Sequence, residues 1–198
     1  MAKWIGIIVL GVLVVSGLSC IGSYNSLVSL DQQVQAQWAQ VQNAYQRRLD
    51  LVPNLVETVK GAAAFEKDTF TAVTEARAKA SQTMVDPSKV VNDPAAFERF
   101  QQSQDALSSA LSKLTVVIER YPDLKATQNF RDLQAQLEGT ENRIAVERKR
   151  YNEAAQAFNT KRDSFPTVLV AGFFGTRFNE KSYFRAQEGA ETAPKVKF

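Results

Sequence analysis

The stretch WIGIIVLGVLVVSGLSCIG, residues 4–22, runs directly into YNSLVSLDQQVQAQWAQVQNAYQRRLDLV, residues 24–52, and this junction decides the fold. The first stretch is uncharged and mostly apolar. At a helical rise its nineteen residues reach about 28 Å, close to the ~30 Å of hydrocarbon that a spanning helix must cross. The second stretch is amphipathic. Tyr24, Leu27, Asp31, Val34, Trp38, Val41, Tyr45, Arg48, Val52, Leu55, Val59 and Ala62 recur at alternating three- and four-residue steps, the a/d seam of a helix packed on other helices, with Asp31 and Arg48 as charged interruptions.

Working toward the amino terminus, Lys3 and the α-amino group precede the apolar run, and the first charge after it is Asp31. The positive-inside rule then puts the amino terminus in the cytoplasm and the body on the outer side, periplasmic or extracellular. The bilayer is the partner implied for residues 4–22. Small residues at Gly17 and Ser19 also fit a cleaved export signal, and Leu18-Ser19-Cys20 resembles a lipoprotein box, with Gly17 where such boxes usually carry Leu. All three readings leave the bulk of the chain outside the cytoplasm. The expected organisation is an anchor over 1–23, a helical bundle over 24–165, and an apolar carboxyl-terminal segment with a flexible tail over 166–198.

Working toward the carboxyl terminus, no stretch alternates with the period of a strand, so the fold is expected to be all-α. Pro53 lies inside the first pattern and removes a backbone donor while crowding the carbonyl of Leu49, which predicts a kink, with Gly61 a second weak point. The pattern fades near Lys79. Loop signals follow at Asp86-Pro87 and Asn92-Asp93-Pro94, with Asp93 placed to cap a second helix that has Pro94 at its first position. That helix carries Phe97, Phe100, Gln104, Leu107, Leu111, Leu114, Ile118 and Tyr121, and ends at Tyr121-Pro122-Asp123. The next helix carries Phe130, Leu137, Ile144, Tyr151, Phe158 and Phe165 at seven-residue spacing, flanked by Leu133, Thr140, Glu147 and Ala154, and stops before Pro166. These stripes describe an antiparallel bundle of three long helices or four shorter ones.

Composition narrows the chemistry. The chain has no histidine, which removes imidazole bases, Ser-His and Cys-His nucleophile systems and the commonest zinc ligand together. Its single cysteine, Cys20, lies in the apolar run, so the body is held by packing without disulfides. A net charge of +3 is too small for a general nucleic-acid footprint. Glu138 and Glu141 read as solvated helix faces rather than a carboxylate metal site, and Gly172-Phe173-Phe174-Gly175 lacks the spacing and Lys of a phosphate loop. Neither cofactor, metal nor small-molecule substrate is indicated. Arg143, Arg148, Lys149 and Arg150 form the densest basic cluster, but Glu147 among them and the helical period spread those charges around the axis.

Two charged residues, Asp31 and Arg48, fall on the stripe of the first helix, and Glu147 flanks the core series of the third. An unpartnered buried charge costs several kcal/mol, so Arg48 is expected to pair with Glu147, or with another carboxylate if the register differs. Val168, Leu169, Val170, Phe173, Phe174, Phe178, Tyr183 and Phe184 crowd a segment too short to span a bilayer. Such density is expected either to dock on the bundle or to serve as a partner or membrane contact, with Phe173, Phe174 and Phe178 as the candidates.

The islands Tyr24-Asn25-Ser26-Leu27-Val28, Trp38 with Val41, Arg48-Leu49-Asp50-Leu51-Val52-Pro53-Asn54-Leu55-Val56, Tyr121-Pro122-Asp123-Leu124-Lys125-Ala126, Leu137-Glu138-Gly139-Thr140-Glu141-Asn142-Arg143-Ile144-Ala145, Arg150-Tyr151-Asn152-Glu153, Phe165-Pro166 and Tyr183-Phe184 resemble the bacterial LemA family, in order, over roughly residues 4–186. The chain departs from the family at Phe174-Gly175-Thr176-Arg177-Phe178, where members usually have a compact Phe-Gly-Phe. The resemblance implies one amino-terminal membrane helix carrying an exported helical bundle, no assigned enzymatic activity or cofactor, and a role in membrane organisation or assembly. It points to a non-enzymatic scaffold or adaptor contacting an unidentified envelope protein; the alternative is an accessory subunit of a membrane-associated enzyme or protease complex.

Overall fold

The computed structural model describes residues 2–60, 67–84 and 87–185, which among themselves form helices and turns and no strand. In order these are α1 (Ala2–Lys60), α2 (Lys67–Gln82), α3 (Pro87–Asn92), α4 (Pro94–Ile118), α5 (Pro122–Lys125), α6 (Gln128–Asp163) and α7 (Thr167–Phe173), then a 3-10 turn, Gly175–Phe178. The all-α expectation holds. Gly61, Ala62, Asp86 and the tail 186–198 lie outside the described residues.

One unbroken helix, α1, contains both the apolar run and the a/d seam. Residues 3–22 are exposed throughout, and Ser23 is the first buried residue. Leu27, Val34, Trp38, Val41, Tyr45, Arg48, Val52, Leu55 and Val59 are then all buried, as the heptad reading requires. The seam packs on α6, which runs antiparallel: Trp38 meets Tyr151, and ten residues further along α1 Arg48 meets Glu141. α4 runs parallel to α1, since Trp38 contacts Phe97 and Phe100 while Arg48 contacts Gln104. α2 returns between them over the far half of the body.

Helix boundaries follow local chemistry. Asp93, extended at φ −120° and ψ 107°, accepts a hydrogen bond from the Ala95 amide at 2.9 Å, with Pro94 at the first helical position. α1 continues through Pro53, and the chain reverses after Lys60, between α1 and α2. The carbonyl that Pro53 deprives of a helical donor, that of Leu49, accepts instead from Arg77 Nε on α2 at 2.8 Å. Where loop signals were read at 86–94, α3 forms a short helix that buries Val90 and Val91.

Two apolar clusters stack along the bundle. The one nearer the apolar run gathers Leu27, Val34, Trp38, Val41, Tyr45, Phe97, Phe100, Ile144, Tyr151, Phe158, Phe178 and Phe184. The far one gathers Leu49, Val52, Leu55, Val59, Phe70, Val73, Leu107, Leu114, Ile118 and Phe130. The α6 series ends one step early. Phe158 is buried, but Phe165 lies past the helix end at Asp163 and is 81% exposed, because the chain has already left the bundle axis there.

Candidate functional site

Between the two clusters lies a polar layer centred on Arg48, whose side chain is 1% exposed. Nη1 donates to Ser108 Oγ at 2.7 Å and to Glu141 Oε1 at 2.9 Å. Nη2 donates to the Gln104 side-chain oxygen at 2.7 Å and to the Gln104 carbonyl at 3.2 Å. Gln104 in turn donates from Nε2 to the Ala80 carbonyl at 3.3 Å, so one guanidinium ties α1, α2, α4 and α6 at a single level. The guanidinium also stacks 5.0 Å from the Tyr45 ring centroid. Burial pushes the Tyr45 phenol above its ordinary value of 10.0, outweighing the opposing pull of Arg148 and Arg48.

The expected Arg48–Glu147 pair is corrected here. Arg48 faces Glu141, which is therefore not a merely solvated carboxylate even though it is 45% exposed. Glu147 sits almost two turns further along α6 and is 1% exposed; it is held by exposed Arg143 at 2.8 Å and Arg150 at 3.2 Å on its own helix. Charge balance alone left both pairings open; register decided between them. Each residue of the basic cluster has a partner within this chain: Lys149 lies 3.8 Å from Glu153, and Arg148 stacks 4.7 Å from the Phe184 ring.

Asp31 lies at the opposite end of the near cluster and forms an ion pair with Lys181, Oδ1 to Nζ 2.6 Å, while Gln35 donates to its other oxygen at 2.9 Å. Lys181 Nζ also donates to Asn92 Oδ1 and lies 4.8 Å from the centroid of the Phe158 ring. Its side chain is fully buried, and no pattern in the sequence singled it out, because it follows the last helix and belongs to no stripe.

The extended segment 179–185 is held by side-chain amides. Asn159 donates to the Lys181 carbonyl and accepts from the Lys181 amide, both at 2.9 Å. Seven residues earlier on α6, Asn152 treats Phe184 in the same way, at 3.0 and 2.9 Å. From α4, Gln101 clasps Arg185 at 3.3 and 3.4 Å. These amides supply the donor and acceptor that a neighbouring strand would supply. They seat Phe184 against Trp38, Phe97 and Tyr151, with centroids 5.9, 4.8 and 5.4 Å away. Burial, with a smaller contribution from Tyr183, pushes the Tyr151 phenol well up.

Of the three candidate contact residues, Phe178 is corrected: it is 2% exposed, packed against Tyr24 at 5.6 Å and Phe158 at 6.5 Å. Gly175, at φ 55°, makes the left-handed turn that swings it under Tyr24. Phe173 is 85% exposed and Phe174 43% exposed. Docking and exposure thus divide the segment: Thr167, Val170, Ala171, Phe178 and Phe184 face the bundle, while Phe165, Val168, Leu169 and Phe173 do not. Gln40 and Gln136, both exposed, face one groove of about 490 Å³ between α1 and α6 with Asn43, Arg47, Gly139 and Arg143. Among the described residues no group of three carboxylates or thiols converges as a metal site would require.

Known proteins resemble this chain over most of its length. Magnetosome protein MamQ 2 of Paramagnetospirillum magneticum is 26% identical over 85% of this chain and 67% of its own length. Magnetosome protein MamQ of Magnetospirillum gryphiswaldense is 24% identical over the same shares, and protein LemA of Metamycoplasma hominis 26% identical over 76% of this chain and 64% of its own. A sequence model of the LemA family matches residues 37–198, from just before Trp38 through the polar layer, the amide clamp and the tail; the chain belongs to the LemA family.

Proposed function

We propose that this protein is a non-enzymatic, membrane-anchored scaffold, its amino terminus cytoplasmic and its body on the outer face of the membrane, acting in membrane organisation or assembly through protein contacts. The observation that supports this best is the absence of any linker: packing begins at Ser23, one residue after the apolar run, on the same helix. Residues 24–60 then extend the body roughly 55 Å outward from the bilayer surface at helical rise. A rigid stand-off of this kind presents side faces to neighbours in the envelope, and the amide-rich groove between α1 and α6 is suited to polar protein contacts. Relatives named as magnetosome proteins fit a role at a bacterial membrane.

Photo-crosslinking in cells from Gln40 and Gln136 tests the reading. Repeatable capture of one envelope protein from both positions supports it. Substrate turnover by the purified protein without a co-purifying partner refutes it.

A further inference from the structure

We infer that α7 is a membrane foot: Phe165, Leu169 and Phe173 enter the headgroup and upper acyl region of the leaflet from which the body emerges. The inference rests on the anchoring of residues 4–22, and it concerns a surface that the scaffold reading leaves unused.

Spacing comes first. Phe165, Leu169 and Phe173 follow one another at four-residue intervals and are 81%, 65% and 85% exposed. On α7, Leu169 and Phe173 lie opposite Thr167, Val170 and Ala171, whose burial docks the helix against α1 and α6, and Phe165 is exposed in the turn that precedes it. A seven-residue helix that is apolar on both faces has one face unaccounted for. Large contiguous apolar surface is uncommon where a protein meets water.

Position identifies what meets that face. Phe174 lies 4.8 Å, ring to ring, from Tyr24, and Phe173 lies 5.3 Å from Phe174. Tyr24 stands two residues beyond Gly22, so at helical rise it is about 3 Å along the axis from the end of the apolar run. That is the depth at which the hydrocarbon gives way to headgroups and at which Tyr is enriched in membrane proteins. α6 returns antiparallel to α1 and delivers Phe165 and α7 to this same end. The exposed face is therefore continuous with the membrane-crossing surface.

Charge agrees. Exposed Arg177 stacks 5.4 Å from the Tyr24 ring, placing a guanidinium at the level of lipid phosphates. The acidic residue nearest the ridge in sequence, Asp163, is paired with Arg162 at 2.6 Å. An apolar ridge with a cation at its edge is the pattern of interfacial helices, here shortened because α1 already supplies the anchor.

The test uses the full chain in phosphatidylethanolamine–phosphatidylglycerol vesicles, with Cys20→Ser and one environment-sensitive fluorophore at Val14→Cys, Leu169→Cys, Phe173→Cys or Val116→Cys. Val116 is exposed on α4 in the far half of the body. Brominated acyl chains are expected to quench the labels at 14, 169 and 173 roughly twofold and to leave the label at 116 unchanged. If the label at 14 is quenched while those at 169 and 173 behave like 116, the foot is refuted and the anchor stands. Labels at 169 and 173 shielded from aqueous iodide yet untouched by brominated lipid would mean that protein covers the ridge, which also refutes the proposal. An unquenched label at 14 removes the anchor and the foot together.

Discussion

Arg77 donates to the Leu49 carbonyl at 2.8 Å, supplying from a neighbouring helix the hydrogen bond that Pro53 withholds. A buried carbonyl left without a donor costs about 1–3 kcal/mol, so Arg77→Met should lower unfolding free energy by about that amount. In a Pro53→Ala background the helical amide returns, and the same substitution should cost well under half as much. A double-mutant cycle from urea unfolding measures the difference; equal costs in both backgrounds would falsify the assignment.

Truncating the centre of the polar layer should be severe, because Arg48 holds three groups in the interior. Arg48→Met leaves the Gln104 side-chain oxygen and Ser108 without their donor and is expected to cost about 2–4 kcal/mol, at about 1–3 for each unsatisfied group. Glu141→Gln should cost about 1 kcal/mol or less, since that carboxylate is 45% exposed and screened, and Arg48 keeps Gln104 and Ser108. Coupling should be measurable between Arg48 and Glu141 and absent between Arg48 and Glu147; the reverse pattern would overturn the register described here.

Asn152→Ala and Asn159→Ala each remove a paired donor and acceptor from the extended segment, and each should cost about 1–3 kcal/mol. Hydrogen exchange gives the sharper readout. The Phe184 amide should lose protection in the first variant and the Lys181 amide in the second. Amides of α2 and the far half of α1 should keep theirs, and uniform loss across the chain would argue against a local clamp.

The phenols of Tyr45 and Tyr151 are both displaced upward from 10.0. A group whose folded pKa is raised contributes stability that is complete below the unfolded value and is lost as pH rises above it. Thermal stability should therefore be insensitive to these groups up to about pH 10 and fall beyond it. Tyr45→Phe with Tyr151→Phe should flatten that alkaline decline; an unchanged decline would place its origin elsewhere.

For topology, a cysteine introduced at exposed Gln136 in a Cys20→Ser background should react with a membrane-impermeant thiol reagent in intact cells or, for a two-membrane envelope, in spheroplasts. Reaction confined to lysed membranes would reverse the orientation.

How far the sequence could be read depended on periodicity. Every described apolar position of the α1 seam from Leu27 to Val59 is buried, because a regular pattern on a long helix has one way to face its neighbours. The Asp93-Pro94 start was legible because capping is local chemistry. The Arg48 partner was not: Glu141 and Glu147 lie six residues apart on α6, and choosing between them needs the relative height of two helices far apart in sequence. Lys181 and the paired duties of Asn152 and Asn159 were invisible for another reason. They serve an extended segment with no repeat, and backbone groups clasped by amides leave no compositional trace. The carboxyl-terminal apolar run was recognised as needing cover, but its division into a docked and an exposed face depends on which side of α7 meets α1 and α6, and the burial of Phe178 on the turn at Gly175.

The seating of Phe184 against Trp38 also sets an order of events during synthesis. These residues belong to one aromatic cluster yet lie at opposite ends of the body's sequence. A chain emerging amino terminus first presents the Trp38 face of α1 long before Phe184 exists, whereas the far cluster has all its members by Phe130. The half of the body next to the membrane is therefore the last to close. Until the final residues arrive, that half presents apolar seams beside the lipid, and a nascent chain stalled short of Phe184 would leave the ribosome with its distal half complete and its membrane-facing half open.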